Sequence, residues 1–413
     1  MPVDLLQLPR PGEKRLAVRV TPAAERALRQ GHPWVFDQAI TSITGGGCPG
    51  DLAVVFDDRR RFLAIGLYDP VSPLRVRILQ HGSPETIDRP WLTSRLAGAL
   101  DLRSSLAGTG TTGYRLVHGE NDGLPGVVID RYAETLVLKL YTVAWIPWLE
   151  PLIAAMNEVV PAQRIILRLS RDMLAHPGDL HGLADGAVLL GDAPQGPVEF
   201  LENGLRFIAD VLRGQKTGFF LDQRDNRARV ERLARGRRTL NVFAYTGGFS
   251  LYAARGGAPA VTSVDMSAPA LADAARNFAL NAGHPAVAAC SHTAVVADAF
   301  ETLAGLRRQG ESFDLVIVDP PAFAKRESEI GSALQAYARL TEMALRVTAR
   351  GGRVVLASCS SRVAADQFFA TVNRAAMDMG RPLRELERTG HAIDHPIRFR
   401  EGAYLKCLFA EAQ

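Results

Sequence analysis

Lysine is nearly missing from this chain of 413 residues: Lys14, Lys139, Lys216, Lys325 and Lys406 stand against a large excess of arginine. A GC-rich genome accounts for that bias, so it says nothing about function. A net charge of +4 is mild; it is compatible with RNA binding without arguing for it. Cysteine is equally scarce. Cys48, Cys290, Cys359 and Cys407 are far apart and form no CxxC pair, which speaks against a zinc site and against a disulfide framework. No metal is expected. Long apolar runs are missing too. Nothing approaches the roughly 18 residues of a membrane span, and "MPVDLLQLPRPGEKR" has no signal-peptide core. A reducing cytoplasm, away from any membrane, is the expected setting.

What is present is a globular composition, 47% hydrophobic and 22% charged, in a chain too long for one core. From Leu16 to Leu79 short strands alternate with turns: "LAVRV", "GDLAVVFDD", "FLAIGLYD" and "LRVRIL". These predict a small all-β domain over 1–82, of barrel type, with Trp34 of "GHPWVF" buried at a turn. Residues 83–204 predict a small α+β domain. It holds a helix in "PETIDRPWLTSRLAGALDLRSSLAG", strands in "VVIDRY", "TLVLKLYT" and "RIILRLS", and a hairpin turning at Asn203-Gly204. Within it Glu120 and Asp122 of "HGENDGLPG" lack further ligands at metal spacing and read as a tight turn. From 205 to 413 strands alternate with helices. That alternation predicts a mostly parallel, Rossmann-like sheet covered on both faces, with ligands at the carboxyl ends of its strands.

Four of those strand ends carry chemistry. "LNVFAYTGGFSLYAARGGA" is strand, glycine turn, helix, and Gly247 and Gly248 allow close backbone approach to a ligand. GxGxxG is missing, so the dinucleotide fingerprint fails. Asp265 ends the next strand, where a carboxylate suits ribose hydroxyls, and Asp298 ends the third, where it could meet an adenine amino group. Thr246 and Met266, beside these positions, complete the expected cofactor contacts. A capping aspartate explains either acid alone; together with the glycine turn they point to a nucleoside cofactor. The fourth strand, "DLVIVDPPAFAK", delivers Asp319, Pro320, Pro321 and Phe323 to the same edge. Two prolines hold a rigid extended loop, which suits a flat base: polar groups meet its edge while an aromatic ring covers its face.

The fifth strand, "RVVLASCSSRV", ends in Cys359 among serines. A free cysteine is commonly a small core residue. Here it should face Asp319 across the mouth of the site. Attack of a thiolate on C6 of cytosine makes C5 nucleophilic enough to accept a methyl group from S-adenosylmethionine. Cys290 and Cys407 read as core.

Several signatures together resemble the bacterial family of ribosomal RNA large subunit methyltransferase I, over nearly the whole chain. They are "HPWVF" and "FLAIGLYDPVSPLRVRIL", "RLVHGENDGLPGVVIDRY", "GQKTGFFLDQRDNR", "YTGGFSLYAARGGA", "DPPAFAK", "SCS" and "DHPIRFREGAYLK". The resemblance implies an N-terminal PUA domain that grips RNA and a class I S-adenosylmethionine methyltransferase domain making 5-methylcytosine in 23S ribosomal RNA, free or partly assembled. A homodimer is left open. It implies cofactor contacts at Tyr245, Gly247, Gly248, Asp265 and Asp298, with Phe220, Asp222 and Asp319 bordering them. Asp319 and Pro320, with Lys216 and Arg224 of the lead-in motif, would take the base, and Cys359 the covalent step. A sister family of guanine methyltransferases lacks the cysteine. Two other readings stay open: a base-nitrogen methyltransferase with Cys359 as bystander, and an inactive RNA-binding module.

Overall fold

Residues 2–413 are described by a computed structural model that divides into two compact units. The first holds the residues up to Gly204 with Ala209–Phe219 and Ile393–Phe399; the second holds Leu205–Ile208, Phe220–Ala392 and Arg400–Gln413. Among the described residues, no helix is long and apolar enough to cross a membrane.

The first unit opens with β1 Arg15–Val20, α1 Pro22–Arg29, β2 Trp34–Phe36, β3 Ile40–Ile43, β4 Leu52–Phe56, β5 Phe62–Tyr68 and β6 Leu74–His81. The sheet order is β2-β6-β5-β4-β1-β3, parallel only between β1 and β4. Along β1 the alternation is clean: Leu16, Val18 and Val20 are buried while Arg15 and Arg19 face water. The helix α1 was not anticipated from the sequence; it buries only Leu28. Its start is nonetheless encoded, by Thr21 Oγ1 accepting from the Ala24 N–H and by Pro22 in the first turn.

A second sheet in this unit, ordered β11-β10-β9-β8-β7, follows the helix α2 Arg89–Asp101. Its strands are β7 Gly113–His118, β8 Val127–Tyr132, β9 Thr135–Leu140, β10 Arg164–Leu169 and β11 Val188–Leu190. The parallel β9–β10 pair needs a crossover, which α3 Leu149–Val159 supplies; the short α4 Arg171–Leu174 follows β10. Leu52, Ile65 and Leu67 of the first sheet share a core with Leu138, Trp145 and Leu152, and Trp148 Nε1 donates to the Gly50 carbonyl at 2.8 Å. β12 Val198–Glu202 leads into the turn at Asn203 and Gly204, both at positive φ (49° and 79°).

Glu120 and Asp122 do sit in a tight turn, and both are consumed by ion pairs. Arg103 grips Asp122 in a fork of 2.9 and 2.6 Å, and Glu120 accepts from Trp34 Nε1 at 2.9 Å and from Arg77. Trp34 is half-buried rather than fully buried.

In the second unit, β13 Leu205–Ala209 and α5 Arg224–Leu233 precede an alternating run of strands and helices. It comprises β14 Thr239–Val242, α6 Gly248–Arg255, β15 Ala260–Asp265, α7 Ala268–Leu280, α8 Pro285–Ala289, β16 Ser291–Val296 and α9 Ala299–Arg308. Then come β17 Phe313–Val318, α10 Ile330–Arg346, β18 Thr348–Ser358, α11 Ala365–Asp378, β19 Leu383–Thr389 and β20 Lys406–Ala412. The sheet order is β16-β15-β14-β17-β18-β20-β19. It is parallel from β16 to β18, and β20 runs antiparallel to both its neighbours. The order in which strands are added reverses between the parallel neighbours β14 and β17, so their carboxyl ends open a crevice.

Beneath that crevice a hydroxyl chain crosses three strands. Asn241 Nδ2 donates to Ser250 Oγ (2.9 Å), Ser250 meets Ser263 (2.7 Å), and Ser263 meets His292 Nε2 (2.9 Å). His292 stacks on Phe278 at 3.9 Å, and burial pushes its pKa down from 6.5 to about 4. A histidine depressed in the folded state takes up its proton earlier in the unfolded chain. The unit should therefore lose stability as pH falls from about 6.5 towards 4. Denaturant midpoints measured from pH 7.5 to 5 should fall in wild type and flatten in His292→Gln. An identical slope in both would assign the loss to other groups.

Candidate active site

The loop after β14 is the most strained backbone in the crevice. Phe243 (φ 63°) and Tyr245 (φ 48°) adopt left-handed conformations without being glycine, and Gly247 (φ 74°) follows. Specific contacts hold this shape. The Tyr245 N–H donates to Asp265 Oδ2 at 2.8 Å, Asn277 Nδ2 donates to the Thr246 carbonyl at 2.9 Å, and the Phe220 ring meets Tyr245 edge-on at 5.0 Å. A Cβ on Gly247 would lie 2.8 Å from the Ala274 Cβ, so only glycine fits there. Gly248 starts α6, and Arg227, which lies against it, donates to the Phe220 carbonyl at 2.9 Å.

Asp265 also accepts from the Ser267 N–H at 2.9 Å through Oδ1. Each carboxylate oxygen thus has one backbone partner and a further lone pair for a hydroxyl. Thr246 Oγ1 is buried with no partner, a polar atom with unused bonding capacity beside the glycine turn. Met266 projects with 72% exposure next to Asp265. Asp298 caps α9, its Oδ1 accepting from Phe300 and Glu301 at 2.8 and 3.0 Å. A glycine turn, a ribose-suited carboxylate and an orphaned hydroxyl at adjoining strand ends fit a nucleoside cofactor.

On the other side of β14, the chain leaving β17 meets the chain leaving β18. Cys359 Sγ lies 3.8 Å from the Pro320 carbonyl, and Ser360 Oγ donates to the Ala324 carbonyl at 3.0 Å. Ser358 Oγ donates to Tyr337 Oη at 2.8 Å, and Phe323 packs on the Tyr337 ring at 5.0 Å. Burial pushes the Tyr337 hydroxyl up to about 12, helped by Cys359 and Asp319 nearby. The serines flanking the cysteine therefore tie its turn to the loop after β17 and to α10. Pro320 is buried and Pro321 exposed. Asp319 is oriented by a relay: Thr389 Oγ1 donates to Asn226 Oδ1 (2.6 Å), Asn226 Nδ2 to Gln223 Oε1 (2.6 Å), and Gln223 Nε2 to Asp319 Oδ2 (3.0 Å).

The four thiols differ sharply. Cys407 is fully buried in the core, and desolvation drives its pKa well above the ordinary value. Cys290 is pushed up to about 11 for the same reason. Cys48 is exposed, far in sequence from any strand end of the second unit. Cys359, half-buried like Cys290, lies at the crevice mouth beside the Pro320 carbonyl.

Comparison with known proteins now decides the family. Residues 184–394 match a family of S-adenosylmethionine-dependent methyltransferases, and residues 18–81 match a PUA-like domain family. A ribosomal RNA large subunit methyltransferase of Deinococcus radiodurans is 49% identical over 98% of this chain and 100% of its own length. Ribosomal RNA large subunit methyltransferase I of Shewanella amazonensis is 38% identical over 96% of this chain and 99% of its own. This chain belongs to the ribosomal RNA large subunit methyltransferase I family. SMU.776, a methyltransferase solved in complex with SAH, shares the fold: TM-score 0.80 and 23% identity, over 96% of this chain and 99% of that one.

S-adenosylmethionine is accordingly the cofactor of this methyltransferase, and we propose that Tyr245, Thr246, Gly247, Gly248, Asp265 and Met266 hold it. Asp265→Ala should weaken its binding about ten- to hundredfold, because a hydrogen bond to a charged group is worth ~1.5–3 kcal/mol. Release of the Tyr245 N–H adds to the loss. Calorimetry checks this, and unchanged affinity would leave the carboxylate only its turn.

Of the family residues placed by resemblance, Arg224 is buried at the start of α5, with Nε 3.2 Å from Asp225. Lys216 belongs to the first unit, with φ 55° and its carbonyl accepting from Lys139. Asp222 accepts from Tyr404 Oη at 2.8 Å. Sequence reasoning gave no role to Gln223, Asn226, Tyr404 or Lys406, although all four lie in quoted signatures. Their signal was polarity inside "LDQRDNR" and "GAYLK". The only metal-like cluster among the described residues is Glu25, Asp57 and Asp58, where Asp57 is already paired with Arg29 and Arg61.

Proposed function

We propose that this methyltransferase modifies C5 of a cytosine in 23S ribosomal RNA through a covalent bond from Cys359 to C6. The observation that carries the reading is the place of Cys359 at the crevice. It stands half-buried with Sγ 3.8 Å from the Pro320 carbonyl, and burial raises the pKa of Cys407 and Cys290. S-adenosylmethionine, when bound, supplies an electrophilic methyl group. C5 of cytosine is too poor a nucleophile to take it unaided. Addition of the Cys359 thiolate at C6 places an electron pair on C5, which lets C5 form the new carbon–carbon bond. Loss of the C5 proton to a base then breaks the sulfur–C6 bond, and the thiolate leaves unchanged.

Asp319, its carboxylate held by Gln223, suits the polar edge of the base. Pro320 and Pro321 keep that loop extended, and Phe323 offers an aromatic face beside it. The PUA-like domain supports an RNA substrate, as do relatives named for ribosomal RNA. In this reading the substrate is 23S RNA in the cytoplasm, free or in a partly assembled subunit.

Bisulfite sequencing of ribosomal RNA from cells with and without the protein tests the reading. One cytosine should resist deamination only when the protein is present. No such cytosine, together with a new methylated base nitrogen by mass spectrometry, would make Cys359 a bystander.

A further inference from the structure

We propose that Lys406 is the positioning residue for Cys359: a buried ammonium that stabilises the sulfur as a thiolate and grips the turn that carries it. Its purpose rests on the reading of Cys359 as nucleophile.

Geometry brings the two together. Lys406 opens β20 in register with Ser358, the residue before Cys359, and is only 4% exposed. Nζ donates to the Ser360 carbonyl, on the residue after Cys359, and to the Tyr404 carbonyl at 3.0 Å. Both partners are neutral. Among the described residues no carboxylate lies within ion-pairing distance of it. Buried arginines elsewhere in the chain are treated differently: Arg103 faces Asp122 and Arg115 faces Asp130, each in a two-bond fork. A desolvated cation without a counter-ion is costly to keep. It becomes favourable where an anion must appear.

The anion that must appear is the Cys359 sulfur. Ionisation releases a proton from Sγ to solvent and leaves a negative sulfur, with no other bond changed. Among the groups around that sulfur are Asp319 at the end of β17, Tyr337 on α10 and Lys406 on β20. Asp319, when ionised, opposes a second negative charge at the mouth, and neutral Tyr337 does not help. Lys406 favours it. Electrostatics runs the same way from the lysine's side: burial pushes Lys406 down to about 8, and the Cys359 sulfur resists that shift. His391 Nε2 accepts from the Tyr404 and Leu405 N–H groups, at 3.3 and 3.1 Å, which fixes the strand entry carrying the lysine.

The test is the pH dependence of alkylation by iodoacetamide, read by mass spectrometry on the Cys359 peptide of the full-length protein. Exposed Cys48 serves as the reference thiol in the same sample. In wild type, Cys359 should titrate below Cys48. Lys406→Met should slow Cys359 alkylation at pH 7 by about tenfold or more. Lys406→Arg, which keeps the charge, should recover most of the rate, and Cys48 should not change. S-adenosylmethionine affinity measured on each variant reports whether it has folded. An unchanged Cys359 titration in folded Lys406→Met overturns the proposal. So does a wild-type Cys359 that titrates at or above Cys48, which needs no variant at all. Alkylation involves no RNA. An active Cys359→Ala enzyme would overturn the cytosine reading and leave this titration standing.

Discussion

Replacing Cys359 by alanine should abolish methyl transfer, by roughly four orders of magnitude or more, while cofactor and RNA affinities stay within about twofold. The asymmetry follows from what the sulfur does. It bonds to the base only during reaction, so its removal costs transition-state stabilisation and little ground-state binding. RNA carrying 5-fluorocytosine at the target gives the sharper result. Fluorine cannot leave C5 as a proton does, so the methylated adduct should stay attached to the protein. Wild type should then give a slow-migrating band under denaturing conditions that requires S-adenosylmethionine. Cys290→Ala should still form it. Cys407→Ala should too, at a stability cost of about 1 kcal/mol for the buried volume removed from the core. Cys359→Ala should not. Activity in that variant, or an active enzyme without an adduct, would transfer the reaction to a base nitrogen.

Why that cysteine was legible, and its neighbours were not, comes down to the range of the interactions. Asp265 ends a strand, Asp319 and Cys359 directly follow one, and Gly247 lies in the loop after β14. Alternation of strand and helix therefore sufficed to bring them to one sheet edge, without any contact being known. The partners that orient them come from far away: Gln223 reaches Asp319 across 96 positions, and Asn226 meets Thr389 across 163. No local pattern encodes such pairs. Lys406 was hidden for a related reason. In sequence it is one polar residue opening an apolar strand, and only the antiparallel register with β18 sets it beside the cysteine turn. In the first unit, short strands such as β2 and β3 have too few residues to show a period. The shared core of Leu52 with Trp145 was equally invisible, because it joins segments that read as separate domains. Asp394 belongs to a signature near the chain's end. Yet its carboxylate accepts the Arg115 N–H at 2.9 Å within the first unit, a return that composition cannot foretell.

Asp122→Ala should destabilise the first unit by about 3–5 kcal/mol, the cost of leaving one member of a buried ion pair uncompensated. Arg103 is 2% exposed, and its guanidinium places five N–H donors: on the carbonyls of Arg115, Ala99 and Asp394, and on both oxygens of Asp122. Asp122 Oδ2 also accepts the His118 N–H at 2.6 Å. Alanine would strand the cation among carbonyls with no water to replace the carboxylate. All four tryptophans, Trp34, Trp91, Trp145 and Trp148, lie in this unit, so their fluorescence in a urea titration follows its unfolding selectively. Arg103→Met should also destabilise, by leaving the anion buried. The double variant should lose less than the sum of the two, with a coupling energy of about 1–3 kcal/mol. S-adenosylmethionine affinity should hold in all three, because every residue suited to the cofactor belongs to the second unit. A loss below about 1 kcal/mol in Asp122→Ala is the scale of a solvated surface pair and would mean that water reaches this one.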